Sequence, residues 1–304
     1  MLWELDATGL AEAFRRGESD PAEALGEFRA RIERIDPALN AFVTLNEAAE
    51  TEAAASAERI RRGCRRPLDG VPLAIKDSLA VAGMPAAWGS RVFAGAPYTA
   101  DELPVRRLRD AGAVILGKTN TPEFAVEGYT GNDLFGVTGN PWNPALTPGG
   151  SSGGTVAAVA AGLASAGIGT DGGGSIRRPA AYTGLFGLKP TIGRCARAGG
   201  LPQVLLDFEV VGPLTRSARD LRLIYHCLAG PDPADPRSRA VPNGATAPHG
   251  LRILYVETFG DAPLDPGIRA SVADAARRLG EMGHRIEAGA LPFDLGPLNE
   301  NWGR

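Results

Sequence analysis

Two short apolar runs, each ending in a lysine, constrain the fold of this chain most strongly. The first run is VPLAIKD, residues 71–77, and the second is AVILGKTN, residues 113–120. Between them lies DELPVRRLRDAG, which has the amphipathic spacing of a helix. This order of strand, helix and strand predicts an α/β fold, in which the strands lie in a sheet covered by helices.

The rest of the chain adds helices before this unit and alternating elements after it. Residues 1–63 are predicted to be helical. Asp20-Pro21 is a good helix start, and Asn46 is expected to cap a helix that runs to Arg62 and stops at Gly63. Residues 119–150 lack periodicity and are predicted to form a long ordered loop, with a linker as the alternative. Further predicted helices are TVAAVAAGLAS, SARDLRLIYHCLAG and IRASVADAARRLGEMG, and further predicted strands are AGIGTD, LRILYVE and RIEAGA.

Charge and composition narrow the classes of partner. A net charge of −3 and a pI near 5.8 give no electrostatic reason to expect binding to nucleic acid or to an anionic membrane. No apolar run approaches the roughly 18 residues that a membrane helix needs, and the start lacks the pattern of a signal peptide. The three cysteines are too few and too scattered for a disulfide framework or a zinc site. We therefore expect a cytoplasmic protein without a metal or a cofactor.

The segment PGGSSGG, residues 148–154, suggests a phosphate cradle, a nucleophile turn or a flexible loop. It formally matches the G-x-S-x-G nucleophile elbow, but that elbow follows a strand, and NPWNPALTP before it contains three prolines. None of the three histidines, His226, His249 and His284, has the motif of a triad partner. The phosphate loop G-x-x-x-x-G-K-[ST] is also missing.

A second glycine-rich segment, GTDGGGSIRRPA, places Gly172, Gly173 and Gly174 directly before Ser175. Consecutive glycines at a helix start can direct several N–H groups at an anion, although a plain turn is the alternative. Such donors beside a serine hydroxyl are what a tetrahedral acyl intermediate requires. A serine also needs a base, and a buried lysine with a lowered pKa can serve. Lys76 and Lys118, each at the end of an apolar strand, both qualify on the sequence alone.

Taken together, these segments resemble the amidase signature family, whose members hydrolyse amide bonds with a Ser-Ser-Lys triad. The resemblance covers nearly the whole chain. It is densest in LDGVPLAIKD, AGAVILGKTNTPEF, FGVTGNPWNPALTPGGSSGG and GTDGGGSIRRPAAYTGLFGLKPTIGR, and it continues through VGPLTRSARD.

The resemblance assigns roles to individual residues. Lys76 matches the catalytic lysine, Ser151 the bridging serine and Ser175 the acylated nucleophile. It further implies a cis peptide bond between Gly150 and Ser151, and a structural role for Lys118 and Lys189. The N–H groups of Gly172, Gly173, Gly174 and Ser175 are expected to bind the oxyanion.

The resemblance also implies an architecture: a mixed central β-sheet flanked by helices, in one amidase domain over residues 1–304. Within it, residues 1–63 are the N-terminal helices and residues 71–304 the α/β core. Family members are usually about half again as long, so we expect the C-terminal third of the domain to be missing. The fold would then be incomplete, with bare strand edges and exposed apolar faces that favour aggregation or pairing with another chain.

The expected activity is hydrolysis of a small amide to a carboxylate and ammonia or an amine, in a possible homodimer. One alternative is the glutaminase subunit of a tRNA-dependent amidotransferase. Such subunits commonly read S-L-D-Q-I-G-P where this chain has LDFEVVGP, residues 206–213. The other alternative is an inactive, truncated fragment.

Arg178, three residues after Ser175, bears on the substrate. Many relatives have an apolar residue just before Pro179, whereas an arginine there resembles malonamidase, in which it helps bind the carboxylate of the substrate. A guanidinium binds a carboxylate through two parallel hydrogen bonds. The alternative is that Arg177 or Arg178 forms a structural ion pair, for example with Asp171, or points to solvent.

Overall fold

A computed structural model describes residues 1–203, 205, 208–239, 249–260 and 262–301. The chain divides into two compact units, Met1–Val241 and Pro242–Arg304, which are described separately below. The prediction of a single domain therefore stays a prediction. Within the described ranges, no helix has both the length and the apolar character needed to cross a membrane.

The first unit contains the predicted strand-helix-strand order and several elements on either side of it. Its helices are α1 (Ala7–Arg16), α2 (Pro21–Leu39), α3 (Ala49–Arg61), α4 (Leu103–Asp110), α5 (Gly153–Ala160), α6 (Arg177–Thr183) and α7 (Ala218–Leu228). Its strands are β1 (Phe42–Leu45), β2 (Pro72–Lys76), β3 (Val114–Thr119), β4 (Gly131–Asn132), β5 (Gly136–Val137), β6 (Ala166–Asp171), β7 (Phe186–Gly187) and β8 (Val210–Thr215).

The main sheet of this unit is mixed, as predicted. In the described part of the chain its strand order is β1-β3-β2-β6-β8-β7. Strand β2 is parallel to both β3 and β6, whereas β1, β8 and β7 each run antiparallel to their neighbours. The carboxyl ends of β2, β3 and β6 therefore meet at one edge of the sheet.

Helices cover both faces of the sheet, because successive side chains of a strand point to opposite sides. Leu73 and Ile75 of β2 belong to one buried cluster, which includes residues of α4 and α7. Ala74 belongs to a second buried cluster, which includes residues of α1, α2, α3 and α5. A central strand buried on both faces explains why VPLAIKD is a continuous apolar run.

The N-terminal region differs from its all-helical prediction in two places. Residues 42–45, FVTL, form β1 and pair with β3, which agrees with the β-propensity of valine, phenylalanine and threonine. Helix α3 begins at Ala49 rather than directly after Asn46. Asn46 instead accepts a hydrogen bond from the Ala48 N–H and donates one to the Ile115 carbonyl, which ties this turn to β3. The Asp20-Pro21 start of α2 is confirmed, with Asp20 as the N-cap.

The second unit is small and has little burial. Strands β9 (Arg252–Tyr255) and β10 (Arg285–Ala288) form a parallel pair connected through α8 (Pro266–Glu281), and α9 (Gly296–Asn301) follows. This confirms the strand, helix and strand predicted there. No residue of α8 is buried, and its Ile268 and Val272 are more than 45% exposed. Apolar faces are therefore exposed in this unit, while the predicted tendency to aggregate stays a prediction.

Candidate active site

The register of the sheet brings the ends of β2 and β6 together. Ile75 of β2 pairs with Ile168 of β6, so Lys76 at the end of β2 lies beside the last residues of β6. Those last residues are Thr170 and Asp171. Ligands of open α/β sheets bind beyond the carboxyl ends of the parallel strands, and this edge is where the predicted catalytic residues gather.

Lys76 is fully buried and contacts two hydroxyl groups. Its Nζ lies 2.7 Å from Ser151 Oγ and 2.9 Å from Thr170 Oγ1. Burial lowers the pKa of Lys76 to about 7, partly opposed by the negative charges of Glu209 and Asp171 and assisted by the positive charge of Arg197. An amine with this pKa is neutral in a large fraction of molecules near pH 7, as a general base must be.

The glycine-rich segment presents Ser151 to this lysine. The peptide bond between Gly150 and Ser151 is cis, as the resemblance implies. Gly149 has a φ of +88°, which favours glycine, and a methyl group on Gly150 would come within 2.4 Å of the Tyr129 carbonyl oxygen. The predicted loop 119–150 is therefore ordered here and packs directly against the serine segment.

Ser175 lies next to the same segment but is not joined to Ser151 by a hydrogen bond. The Ser175 carbonyl accepts a hydrogen bond of 3.1 Å from the Ser152 N–H. Ser175 is half-buried, and its hydroxyl makes no hydrogen bond with the described residues. The structure thus unites Lys76 with Ser151 and places the backbone of Ser175 beside them.

Asp171 organises the backbone between β6 and α6. Its carboxylate accepts hydrogen bonds from the N–H groups of Gly174 (2.8 Å), Ile176 (3.1 Å) and Arg177 (3.2 Å). The Gly174 N–H is therefore already paired, which contradicts its predicted role as an oxyanion donor. The physical reason is that the carboxylate of the last residue of β6 competes for the same nest of N–H groups.

Three N–H groups of the predicted oxyanion site remain. Among the described residues, the N–H groups of Gly172, Gly173 and Ser175 have no hydrogen-bond partner. Gly174 has a φ of +117°, so its contribution is the backbone turn rather than a donor. We therefore keep Gly172, Gly173 and Ser175 as candidate donors.

The two arginines after Ser175 have different partners. Arg177 binds Asp171 through two hydrogen bonds of 3.0 Å. Burial by itself would raise the pKa of Asp171, but this pair and the three N–H bonds lower it to about 2. Arg178 is half-buried and donates to the Gly173 carbonyl at 3.3 Å. In the described part of the chain it pairs with no carboxylate. The structural ion pair thus belongs to Arg177.

Lys118, the other candidate base, contacts a carboxylate and two carbonyl groups. Its Nζ contacts the Asp77 carboxylate at 3.2 Å and the carbonyls of Asp77 and Pro85 at 3.1 Å each. Burial lowers the pKa of Lys118, and the Asp77 carboxylate opposes that change. These contacts fasten the segment that follows β2, and neither candidate serine is among them.

A buried charge cluster near the site was missed by sequence reasoning. Arg197 forms ion pairs with Glu102 and with Glu209, the second at 3.0 Å, and all three residues are at most 8% exposed. Glu209 of LDFEVVGP could have suggested it, because a charge next to the buried strand β8 needs a partner. Leu206 and Asp207 of the same segment lie outside the described residues.

Other residues that commonly carry chemistry lie in ordinary environments. In the ranges that the structure describes, no three His, Cys, Asp or Glu side chains are grouped as metal ligands. Burial raises the pKa of Cys195 to about 12 and that of Cys227 to about 11, so both remain thiols near neutral pH. His226 is in α7, and its Nδ1 lies 2.7 Å from the Arg222 carbonyl oxygen one turn earlier.

Comparisons with known proteins identify the family of this chain. The sequence matches the family model for Amidase over residues 23–294. The structure is similar to a native peptide amidase from Stenotrophomonas maltophilia, with a TM-score of 0.87 and 36% identity over 98% of this chain. It is also similar to a 6-aminohexanoate cyclic dimer hydrolase, with a TM-score of 0.86 and 33% identity over 95% of this chain. The chain belongs to the amidase signature family.

Curated relatives include glutamyl-tRNA(Gln) amidotransferase A subunits. The subunit from Deinococcus deserti is 43% identical over 91% of this chain, and that from Deinococcus radiodurans is 42% identical over 95% of it. The chain spans 56% and 61% of the length of these two relatives. It spans 64% of the peptide amidase chain and 61% of the cyclic dimer hydrolase chain.

Proposed function

We propose that this chain carries the catalytic core of an amidase that hydrolyses small amides through a Ser-Ser-Lys triad and an acyl-enzyme. The observation that carries the proposal is the 2.7 Å contact between the fully buried Lys76 and Ser151, with Ser175 on the adjoining loop. The match to amidases over most of the chain supports the same chemistry.

The proposed steps start from the contact between Lys76 and Ser151 and add proton transfer from Ser175, as the family resemblance implies. Neutral Lys76 accepts the Ser151 proton, Ser151 accepts the Ser175 proton, and Ser175 Oγ attacks the amide carbon to form a tetrahedral oxyanion. When the carbon–nitrogen bond breaks, Ser151 donates its proton to the leaving nitrogen and is reprotonated by Lys76. Water then attacks the acyl-serine while Ser151 and Lys76 take its proton. When the bond between Ser175 Oγ and the acyl carbon breaks, that proton passes to Ser175 Oγ and the carboxylate leaves.

The N–H groups of Gly172, Gly173 and Ser175 are proposed to bind the oxyanion. Removing one such donor from comparable sites costs about 2.7–4 kcal/mol of transition-state stabilisation. A side-chain change cannot delete a backbone N–H. The test is therefore Gly173→Val, which should lower turnover in a chain that keeps its far-UV spectrum. A wild-type rate in this variant would contradict the assignment.

Covalent labelling tests the nucleophile. A fluorophosphonate should label wild type and should not label Ser175→Ala. Ser165→Ala is the control, because Ser165 is a buried serine that binds the Pro72 carbonyl at the opposite end of β2. It should be labelled like wild type. Full labelling of Ser175→Ala at another serine would overturn the proposal.

Arg178 is proposed to select a substrate that carries a carboxylate near the acyl carbon. Its half-buried guanidinium lies beside the Ser175 loop, and Arg177 already neutralises Asp171. The test compares a monoamide of a dicarboxylic acid with its uncharged methyl ester, in wild type and in Arg178→Leu. Wild type should prefer the charged substrate, and the variant should lose that preference. A preference that survives in the variant would exclude Arg178 as the anchor.

A second candidate function is the glutaminase subunit of a tRNA-dependent amidotransferase. The observation that favours it is the 43% identity to such a subunit, above the 36% identity to the peptide amidase. The two functions differ in their dependence on other subunits. Glutamine hydrolysis measured with and without partner subunits separates them, because an independent amidase gains nothing from the partners.

A third candidate is an inactive fragment. The support for it is that the chain spans only 56–64% of the length of these relatives. A far-UV spectrum and a thermal melt test it. A sharp, reversible transition without binding of a hydrophobic dye would contradict the fragment reading. A broad melt with dye binding would support it.

A further inference from the structure

Thr170 is the second partner of the buried lysine, and the catalytic steps above assign it no role. Its Oγ1 lies 2.9 Å from Lys76 Nζ, and both side chains are at most 1% exposed. Among the described residues, Lys76 Nζ contacts only the hydroxyls of Ser151 and Thr170, and no carboxylate. In the same set, Thr170 Oγ1 contacts only Lys76.

The valence of the lysine amine makes this second contact directional. A neutral amine has one lone pair and two N–H bonds, and the lone pair must face Ser151 Oγ to accept its proton. A threonine oxygen can accept one of the two N–H bonds. The side chain of lysine is otherwise free to rotate about its last bond.

We propose that Thr170 is a positioning residue, whose oxygen accepts an N–H of Lys76 and thereby directs the lone pair of the amine at Ser151. This inference rests on the proposed amidase chemistry and deepens it. Thr170 can do this because it lies one residue before the end of β6, which runs parallel to β2.

The charges around Lys76 are retained when Thr170 is changed. Asp171 follows Thr170 at the end of β6, and Glu209 and Arg197 lie in the cluster next to β8. These three groups act on the charge of Lys76 from the elements that surround it. A change in the pH dependence of a Thr170 variant therefore reports on the lost hydroxyl.

The experiment measures the rate constant of fluorophosphonate labelling of Ser175 as a function of pH, which requires no knowledge of the natural substrate. Thr170→Val keeps the branched shape and removes the oxygen. Its plateau rate should fall tenfold or more. The acidic limb should move to lower pH by about half a unit, because a lost acceptor destabilises the ammonium more than the amine. Thr170→Ser, which keeps the oxygen, should stay within about threefold of wild type.

Thr155→Val is the matched control. Thr155 is fully buried and exchanges one 2.7 Å hydrogen bond with Thr119, so this variant also loses one buried hydroxyl contact without touching Lys76. Its labelling rate and pH profile should match wild type. If Thr170→Val does not fold, Thr170→Ala is the second hydroxyl-free variant and carries the same expectation.

The outcomes separate this inference from the proposed function. If wild type is labelled at Ser175 and Thr170→Val keeps its plateau and its acidic limb, the role of Thr170 is excluded while the amidase proposal stands. A lower plateau rate with an unchanged acidic limb would also exclude this role of Thr170. An equal loss of labelling rate in Thr170→Ser would exclude it as well. If wild type is not labelled at all, both proposals fail.

Discussion

Lys76 and Lys118 lie in matching surroundings, yet the structure gives them different partners. Lys76 is the last residue of β2, and Lys118 is the next-to-last residue of the neighbouring parallel strand β3. Both are fully buried, and burial lowers the pKa of each. The contacts differ. Lys76 meets two hydroxyls, whereas Lys118 meets a carboxylate and two carbonyls.

This difference shows that burial alone does not make a lysine a base. A carboxylate in contact stabilises the ammonium and offsets the loss of hydration, so Lys118 is suited to remain a cation. Two hydroxyls stabilise the ammonium much less, so the amine of Lys76 can give up its proton. The partners of each amine are therefore the reason that Lys76, and not Lys118, is proposed as the base.

The largest expected effect is on activity. Lys76→Ala should reduce labelling of Ser175 by about 10³-fold, because general-base catalysis contributes roughly 10²–10⁴-fold. Lys118→Ala should be much milder per folded molecule. Labelling rates of both variants, normalised to folded protein, check this. Equal losses of labelling rate in the two variants would contradict the proposed difference between the two lysines.

The next effect is on stability, and here the informative change is at Lys118 rather than at Lys76. Lys118→Met leaves the Asp77 carboxylate buried without its partner and should cost about 3 kcal/mol or more of unfolding free energy. Urea denaturation measures it. The double variant Lys118→Met/Asp77→Asn should recover part of the loss, since it removes both charges. No recovery would show that the ion pair is not the origin of the loss.

A smaller effect is the pH dependence of stability. The pKa of Lys76 is about 7 in the folded chain against 10.5 in the unfolded chain. Between these values the unfolded state binds more protons, so stability should rise with pH through this window, by roughly 1 kcal/mol per pH unit from this residue. Lys76→Met should show a smaller rise. Urea unfolding at pH 7 and pH 9 tests it, and an unchanged slope would contradict the lowered pKa.

The smallest effect concerns which charges act on Lys76. Glu209→Gln removes a negative charge that favours the ammonium, so the acidic limb of the labelling profile should move to lower pH by less than about one unit. Asp77→Asn changes the partner of Lys118 and should leave that limb in place. A larger movement in Asp77→Asn would mean that the two lysines are electrostatically coupled.

Local patterns in the chain predict much of the fold. The apolar runs of β2 and β3, the Asp20-Pro21 start of α2 and the strand-helix-strand order of the second unit follow from spacing and propensity. Strand β1 was missed because its four residues gain their stability by pairing with β3, far along the chain. The β-propensity of these residues alone did not distinguish them from the predicted helices on either side.

The candidate site can likewise be predicted from local patterns only in part. Its family and its candidate triad, Lys76, Ser151 and Ser175, follow from ordered motifs, because each motif is a short continuous segment. Sequence reasoning from the residues alone could not choose between Lys76 and Lys118. The choice depends on which groups of distant segments meet each amine.

The sequence by itself determined the α/β class, the buried strands that end in lysine and the glycine-rich serine segments, because these depend on neighbours along the chain. Only the tertiary structure decided that Thr170 contacts the Lys76 amine and that Asp171 takes the Gly174 N–H. Hydrogen bonds and desolvation depend on distance in space. Parallel strands bring residues about 95 positions apart into contact, which no local pattern records.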